Sequence, residues 1–471
     1  MHKVSMRVHG YKHPPKKIEK DLTKGPLLKQ IILYSIPLLL TNILLHVFKT
    51  ADIAVLAIFV GDRAVAAVGS TSSLISLMTM LFVGISVGVN VMVSRYIGEG
   101  DEEAVKKTIG LSVPLSLLFG AILIFIGQFC SRFFLELIGC DENVIDLAEK
   151  YLRFYFYGIP LVVLYNFMSA IMRASGDTVR PLIYLIIGGV LNVGMNLFFV
   201  LVLGKDVEGV AIATVLSQGV SAVLCIISLV KAKGIVKLRV RYMRFYKREL
   251  LAVLKIGVPS GLQSSLFAIS NVTIQSAINS FGEFAMAGSS YASEMDTYIY
   301  ASMNSIAVAI MSFISQNYGA ENYERVKKSV IYALFINVIL GLFIGLSFVL
   351  LGTPIVKLAT SDERVIEYFN TRNIIMSSTY FLCGIMEVLS YSVRGLGKSV
   401  VSMIVSLVGA CVFRILWIKF IVSITHNYSL IWWSYTASWA ITSLIFVPIL
   451  LSQLKKIKIK FTIKVENSVS A

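Results

Sequence analysis

A chain of 471 residues that is 56% hydrophobic and only 15% charged, with a mean hydropathy of +0.78, carries too little charge to coat a soluble body of its size. Its net charge of +16 would suit a polyanion, but the Lys and Arg fall in two tails and in alternate loops on one side, with Lys49 and Arg414 counted inside apolar spans. That is the positive-inside pattern, with both termini cytoplasmic, and it excludes nucleic acid as a partner.

Residues 1–28 read as a basic cytoplasmic tail, solvated or lying on lipid headgroups, with no apolar run of a cleaved signal peptide. Six apolar stretches follow, roughly 30–60, 65–94, 108–131, 148–172, 179–203 and 208–231, forming an N-lobe over 29–231. A linker, 232–249, is rich in Lys and Arg with interleaved aromatics; it reads either as an interfacial helix tying two halves together or as a solvated positive-inside loop. Six more stretches, roughly 250–280, 286–316, 329–351, 368–393, 400–424 and 430–452, make a C-lobe over 250–452, and 453–471 is a second basic tail. No stretch has the period-two alternation of a membrane barrel. Five cysteines show no metal-like spacing; they read as apolar core residues, with a Cys130–Cys140 disulfide as the alternative.

The first stretch, IILYSIPLLLTNILLHVFKTADIAVLAIFV (31–60), is long enough to cross a bilayer yet carries Asn42, His46, Lys49 and Asp52. Their spacing puts them along one side of a helix. A charge near mid-membrane costs at least about 2.5–3.5 kcal/mol, so such an Asp faces protein or a watery cavity. The residues leave two readings open: an ion or proton site on a pathway, or a self-neutralising Lys49–Asp52 pair that only holds helices together.

The two halves repeat. RYIGEGDEEAVKK (95–107) returns as QNYGAENYERVKK (316–328), and IMRASGDT (171–178) as VRGLGKS (393–399). Each unit holds an even number of spans, so the repeats are parallel and related by an axis along the membrane normal. The expected fold is an all-α polytopic membrane protein, twelve transmembrane helices in two six-helix bundles around a central cleft.

Several motifs in fixed order carry a resemblance: GPLLKQ before the first span, Ile36–Pro37, Ala51–Asp52, GEGD at Gly98–Asp101, RASGDT, SQNYGAENYERVKK, RGLGKS and FRILW at Phe413–Trp417. Together they resemble the multidrug and toxic compound extrusion (MATE) family of secondary transporters over about residues 25–452. The resemblance implies a two-lobed exporter in the plasma (inner) membrane, acting as a monomer among membrane lipids. It would expel small organic, cationic or amphipathic substrates by antiport with Na⁺ or H⁺ and alternating access, without a cofactor. It implies an N-lobe ion site at Asp52, Asn192, Asn196 and Thr214, with Na⁺ at Asp52 the only metal. At Asn196 one branch of the family has a second Asp, so here protonation of Asp52 competes with cation binding. Lys49 is a further departure. Beside Asp52 it would repel a cation, so it and His46 are assigned as modulating charges.

The second half carries Asp296, Glu294, Glu387 and Arg414 within spans. They are candidates for a C-lobe substrate or proton site, against a Glu387–Arg414 or Asp296–Arg414 ion pair. Phe413 and Trp417 stand at the repeat positions of Asn192 and Asn196, and Phe267 where some relatives have a carboxylate. Tyr291, Tyr298, Tyr300, Met303, Met376, Tyr380 and Trp417 would either stack on flat cations or simply pack. Arg173 and Arg394 read as headgroup anchors or helix caps, and the Gly pairs 98/100 and 395/397 as helix C-caps. A flippase for a lipid-linked oligosaccharide shares the two-bundle plan and is the alternative function. It would want several cavity cations, where only Lys49 and Arg414 qualify. No nucleophile elbow, phosphate loop or metalloprotease motif speaks for an enzyme.

Overall fold

The computed structural model describes residues 21–469, so the basic N-terminal tail lies almost wholly outside the described residues. Among the described residues, twelve helices are long and apolar enough to span a membrane. The first six are α1 (Leu27–Phe59), α2 (Asp62–Glu99), α3 (Glu102–Leu137), α4 (Ile145–Ala174), α5 (Val179–Val202) and α6 (Val207–Lys231). The second six are α7 (Lys247–Asn279), α8 (Glu283–Gly319), α9 (Tyr323–Val356), α10 (Glu363–Gly395), α11 (Ser399–Thr425) and α12 (Ser429–Val469). They form two parallel-related six-helix bundles around a cleft.

The repeat is visible in local chemistry. Asp101 caps α3 by accepting the Ala104 N–H at 3.0 Å, and Asn322 caps α9 by accepting the Arg325 N–H at 3.2 Å. Just before each cap the chain turns through the left-handed region, at Gly100 (φ 72°) and at Glu321 (φ 57°). Both lobes also carry a π-turn late in the fifth helix of the repeat, Phe198–Val202 in α5 and Ile418–Val422 in α11. The corresponding residues Phe129 of α3 and Leu350 of α9 are 74% and 76% exposed, as lipid-facing positions of a spanning helix would be.

The lobes close on each other at the end that carries the chain termini. Gly84 and Gly88 of α2 lie so near Gly257 and Gly261 of α7 that a Cβ would strike backbone, and Gly98 meets the Gln316 carbonyl of α8 in the same way. Gly98 is therefore a contact residue, not a cap; only Gly100 plays the capping role. Polar groups bridge the same seam. Tyr34 of α1 donates to the Arg173 carbonyl at 2.7 Å, Ser312 to Asn90 Oδ1 at 3.0 Å, and Gln316 Nε2 to the Ala174 carbonyl at 2.8 Å. Accordingly the start of α1 packs in the C-lobe core with Ile310 and Phe313, while Val253 and Ile256 of α7 pack in the N-lobe core.

Two connecting segments differ from expectation. The linker holds one 3₁₀ turn, Val240–Tyr242, and neither lies as an interfacial helix nor floats as a loop. Its Ile235, Val236 and Leu238 are buried in the N-lobe core, and Tyr242 Oη donates to Glu103 of α3 at 2.9 Å. Apolar side chains between the basic ones dock it. Likewise α12 runs on through the stretch read as a tail, because Ile457 and Phe461, four residues apart, bury one face of it. Cys130 and Cys140 are free thiols; Cys140 instead points at Ser70, 3.6 Å away.

Candidate functional site

Asp52 lies two turns before the end of α1, and its carboxylate is held by two other helices. Asn196 Nδ2 of α5 donates to Oδ1 at 2.5 Å, and Thr214 Oγ1 of α6 lies 3.1 Å from Oδ2. Asn192, one turn before Asn196, donates to Thr214 Oγ1 at 3.4 Å. The four residues are thus brought together, and they offer mostly oxygen. The Oδ1 atoms of Asn192 and Asn196 are buried without a hydrogen-bond partner. Each such atom costs about 1–3 kcal/mol unless something positive or a donor satisfies it. The Thr214 hydroxyl, with one proton, also faces the Val210 carbonyl at 2.9 Å. A proton on Asp52 would resolve that competition by donating to Thr214; a small hard cation would satisfy the two amide oxygens. Val55, Leu56 and Tyr151, with Tyr155 stacked on Tyr151 at 6.1 Å, close this end of the bundle with apolar surface. The two tyrosines, in the fourth span, were not singled out in the sequence.

Lys49 does not join this cluster. It is exposed, and among the described residues no ion pair links it to Asp52, so the self-neutralising pair is not formed. Helices α5 and α6 supply Asp52 with uncharged partners instead. His46, a further turn back, faces a second site.

That site is a cavity of about 580 Å³ built mostly by the C-lobe, with Asp296 and Tyr300 of α8, Arg372, Glu387 and Arg394 of α10, and Arg414 of α11 in its lining. His46 and Met80 complete it from the N-lobe side. Asp296 is paired, but with Arg372 rather than Arg414: Arg372 Nη2 and Nε reach Asp296 Oδ2 at 2.6 and 3.2 Å. The remaining Arg372 donors serve Ser289, at 2.7 Å to its carbonyl and 2.5 Å to its hydroxyl, and the guanidinium lies 4.2 Å from the Trp432 ring centroid. This is a buried ion pair with its hydrogen bonds met. Arg372 stands near the start of the tenth apolar stretch, in the polar run FNTRN, and was not among the charges singled out within spans.

Glu387 has no ion pair within 4 Å among the described residues, so neither pairing expected for Arg414 is present. Arg414 instead donates Nε to Ser438 Oγ at 2.8 Å and stacks 4.0 Å from the Tyr435 centroid. Arg394, expected at a headgroup, is only 5% exposed and lines the cavity, donating Nε to Ser402 at 3.3 Å and lying over Tyr391. The arginines lining the cavity are therefore Arg372, Arg394 and Arg414, and Lys49 is not part of the lining. Of the aromatic and Met residues singled out, Tyr300, Met376 and Tyr380 line the cavity. Glu294 is exposed beside Tyr291 and Tyr298 in a smaller pocket against α9, separate from Asp296. Met303 is core, and Trp417 donates Nε1 to the Leu430 carbonyl at 3.0 Å. Phe267 lines the main cavity as an apolar residue.

The fold and these two sites can be set beside known proteins. A family model described as MatE matches residues 37–198 and 259–418. The chain is 27% identical over 389 residues to the probable multidrug resistance protein YoeA of Bacillus subtilis, covering 81% of this chain and 84% of that one. It is 30% identical over 310 residues to the probable multidrug resistance protein YpnP of the same organism, covering 65% and 68%. A solved outward-facing structure of a multidrug resistance MATE family transporter superposes with a TM-score of 0.87, covering 94% of this chain and 100% of that one at 22% identity.

Proposed function

The chain belongs to the MatE family of membrane transporters and is not an enzyme; from that premise we propose that it is a secondary active exporter of organic amphipathic compounds, driven by exchange for Na⁺ or H⁺ at Asp52. The observation that carries this reading is the Asp52 carboxylate cradled inside the N-lobe by Asn196 and Thr214, with two orphaned amide oxygens turned into the same cluster. Such a group changes its hydrogen bonding when it takes up a proton or an ion. Because its ligands come from α1, α5 and α6 at once, loading it changes how α1 sits against its neighbours. The start of α1 is packed in the C-lobe, so a shift of this helix reaches the seam between the lobes. That is the physical basis for alternating access.

The multidrug resistance names of the relatives support an organic cargo, and the cavity of about 580 Å³ has the size of a drug-binding site. Glu387, a cavity carboxylate without an ion pair, is the residue that would meet a cationic cargo. With the termini in the cytoplasm, as the charge distribution supports, the lobes are closed on the cytoplasmic side and the cavity faces outward. The protein is proposed to act as a monomer in the plasma membrane, with no cofactor beyond the coupling ion.

Vesicles loaded with a fluorescent organic cation and given either a Na⁺ or a pH gradient test the reading. Wild type should move dye under one gradient, and Asp52→Asn should lose most of that response. Equal gradient-driven transport by Asp52→Asn would remove the carboxylate from the mechanism, and transport under neither gradient would favour the flippase.

A further inference from the structure

The arginines of the cavity are not equivalent. Each guanidinium nitrogen of Arg372 makes at least one hydrogen bond, and its charge is answered by Asp296. Arg414 is 3% exposed, yet its one hydrogen bond runs from Nε to Ser438 and no carboxylate stands within 4 Å of it among the described residues. Among the described residues its two terminal amino groups have no hydrogen-bond partner, and the side chain lines the cavity. Three arginines against two carboxylates leave the lining with one positive charge in excess when His46 is neutral.

A buried guanidinium in a membrane-spanning helix is costly unless an anion or a dipole meets it. Stacking on Tyr435 at 4.0 Å and lying 5.8 Å from Trp439 offsets part of that cost, and leaves the planar edge of the guanidinium free. That edge has the two-pronged geometry that matches a carboxylate or phosphate. The backbone supports the placement. Arg414 sits in a five-residue α-helical segment, Phe413–Trp417, flanked on both sides by π-turns, Leu407–Val412 and Ile418–Val422. Such turns re-aim side chains and are frequent at functional sites. The N-lobe equivalent, α5, has only the second of them.

We propose that Arg414 is the anchor for an acidic group on the cargo, so that this cavity takes flat aromatic amphiphiles bearing a carboxylate or phosphate. The aromatic body lies among Tyr380, Tyr435 and Trp439, and the acid meets the free edge of Arg414. Glu387 then meets a positive group where the same molecule carries one, which extends the cargo class to zwitterions. This assignment rests on the cavity being the cargo site of an exporter.

The test uses one ring system with three charges: pyrenebutyrate, pyrenebutanol and pyrenebutyl-trimethylammonium. Binding to the purified full-length protein in phosphatidylcholine nanodiscs is read by energy transfer from tryptophan, since Trp432 and Trp439 line the cavity. Wild type should bind pyrenebutyrate about tenfold more tightly than pyrenebutanol, the loss expected when a charged hydrogen-bond partner is removed. Arg414→Gln should erase that difference while leaving pyrenebutyl-trimethylammonium binding within twofold, and Arg414→Lys should restore part of it. A wild type that binds the ammonium probe but prefers pyrenebutanol to pyrenebutyrate overturns the inference and leaves the exporter reading standing. Equal weakening of all three probes in Arg414→Gln, with a matching loss of thermal stability, makes Arg414 a structural residue and overturns it too. If that variant does not fold, the wild-type order of the three probes decides alone. Displacement of pyrenebutyrate by adding phosphatidylglycerol to the nanodisc would assign the anchor to a lipid headgroup instead of cargo. Failure to bind any probe would count against the cavity as a cargo site, and so against both readings.

Discussion

Two lobes of one helical plan have come to hold different chemistry. In the N-lobe Asp52 is answered only by uncharged groups, Asn196 and Thr214. In the C-lobe Asp296 of α8 is locked to Arg372, while among the described residues Glu387 and Arg414 are left without ion partners around a cavity. The backbones keep the same caps, left-handed turns and π-turn, so the duplication preserved geometry and let side chains diverge. An ion-responsive site needs a charge whose partners can change. The proposed cargo site needs a rigid wall with free groups projecting from it, and the buried Asp296–Arg372 pair ties α8 to α10.

This contrast can be broken in graded steps. Asp296→Asn leaves the Arg372 charge buried and unanswered. It should lower unfolding stability by about 3–5 kcal/mol, with Arg372→Met in the same chain recovering most of the loss. Thermal unfolding of the detergent-purified protein measures both. Asp52→Asn should do the reverse: little change in melting temperature, but gradient-driven transport reduced by roughly 5- to 150-fold, the range of a typical coupling free energy. Were the two variants to exchange these phenotypes, the division of labour between lobes would be wrong.

Gly88→Ala tests the seam the lobes share. A methyl group there meets the Val253 carbonyl and Gly257, and should cost this closed arrangement about 1–3 kcal/mol. Spin-label distances between α2 and α7 should shift towards separation in the variant. The smallest effect is expected from Lys49→Ala. With no ion pair to Asp52, its removal should change transport by less than about twofold, in line with exposed charges generally. A large effect, or a change of coupling ion, would show that Lys49 visits Asp52 in another conformation.

The linker carries a lesson of a different kind. Its nine Lys and Arg between 231 and 255 dominate the sequence pattern, yet Ile235, Val236, Leu238 and Tyr242 decide where it goes, because each can bury apolar surface against α3 and the N-lobe core. Charge density marked which side of the membrane it belongs to and hid how it packs.

What the sequence determined by itself is whatever depends on the solvent. Twelve apolar stretches, their alternation of basic loops, and a repeat that returns Gly98 at Gly319 and Arg173 at Arg394 are legible because hydrocarbon imposes length, polarity and pairing of backbone groups on every segment independently. The cost of a membrane-embedded carboxylate likewise singled out Asp52, and the resemblance pointed to Asn192, Asn196 and Thr214, which the fold gathers around it. Which charge answers which was decided only by tertiary structure. Arg372 rather than Arg414 meets Asp296, Lys49 makes no ion pair with Asp52, Arg394 is drawn inside, and Gly98 packs on a neighbouring carbonyl. Those outcomes rest on how helices far apart in sequence are rotated and tilted against one another. A few tens of degrees about a helix axis move a side chain from cavity to lipid, and no spacing within one segment records that angle.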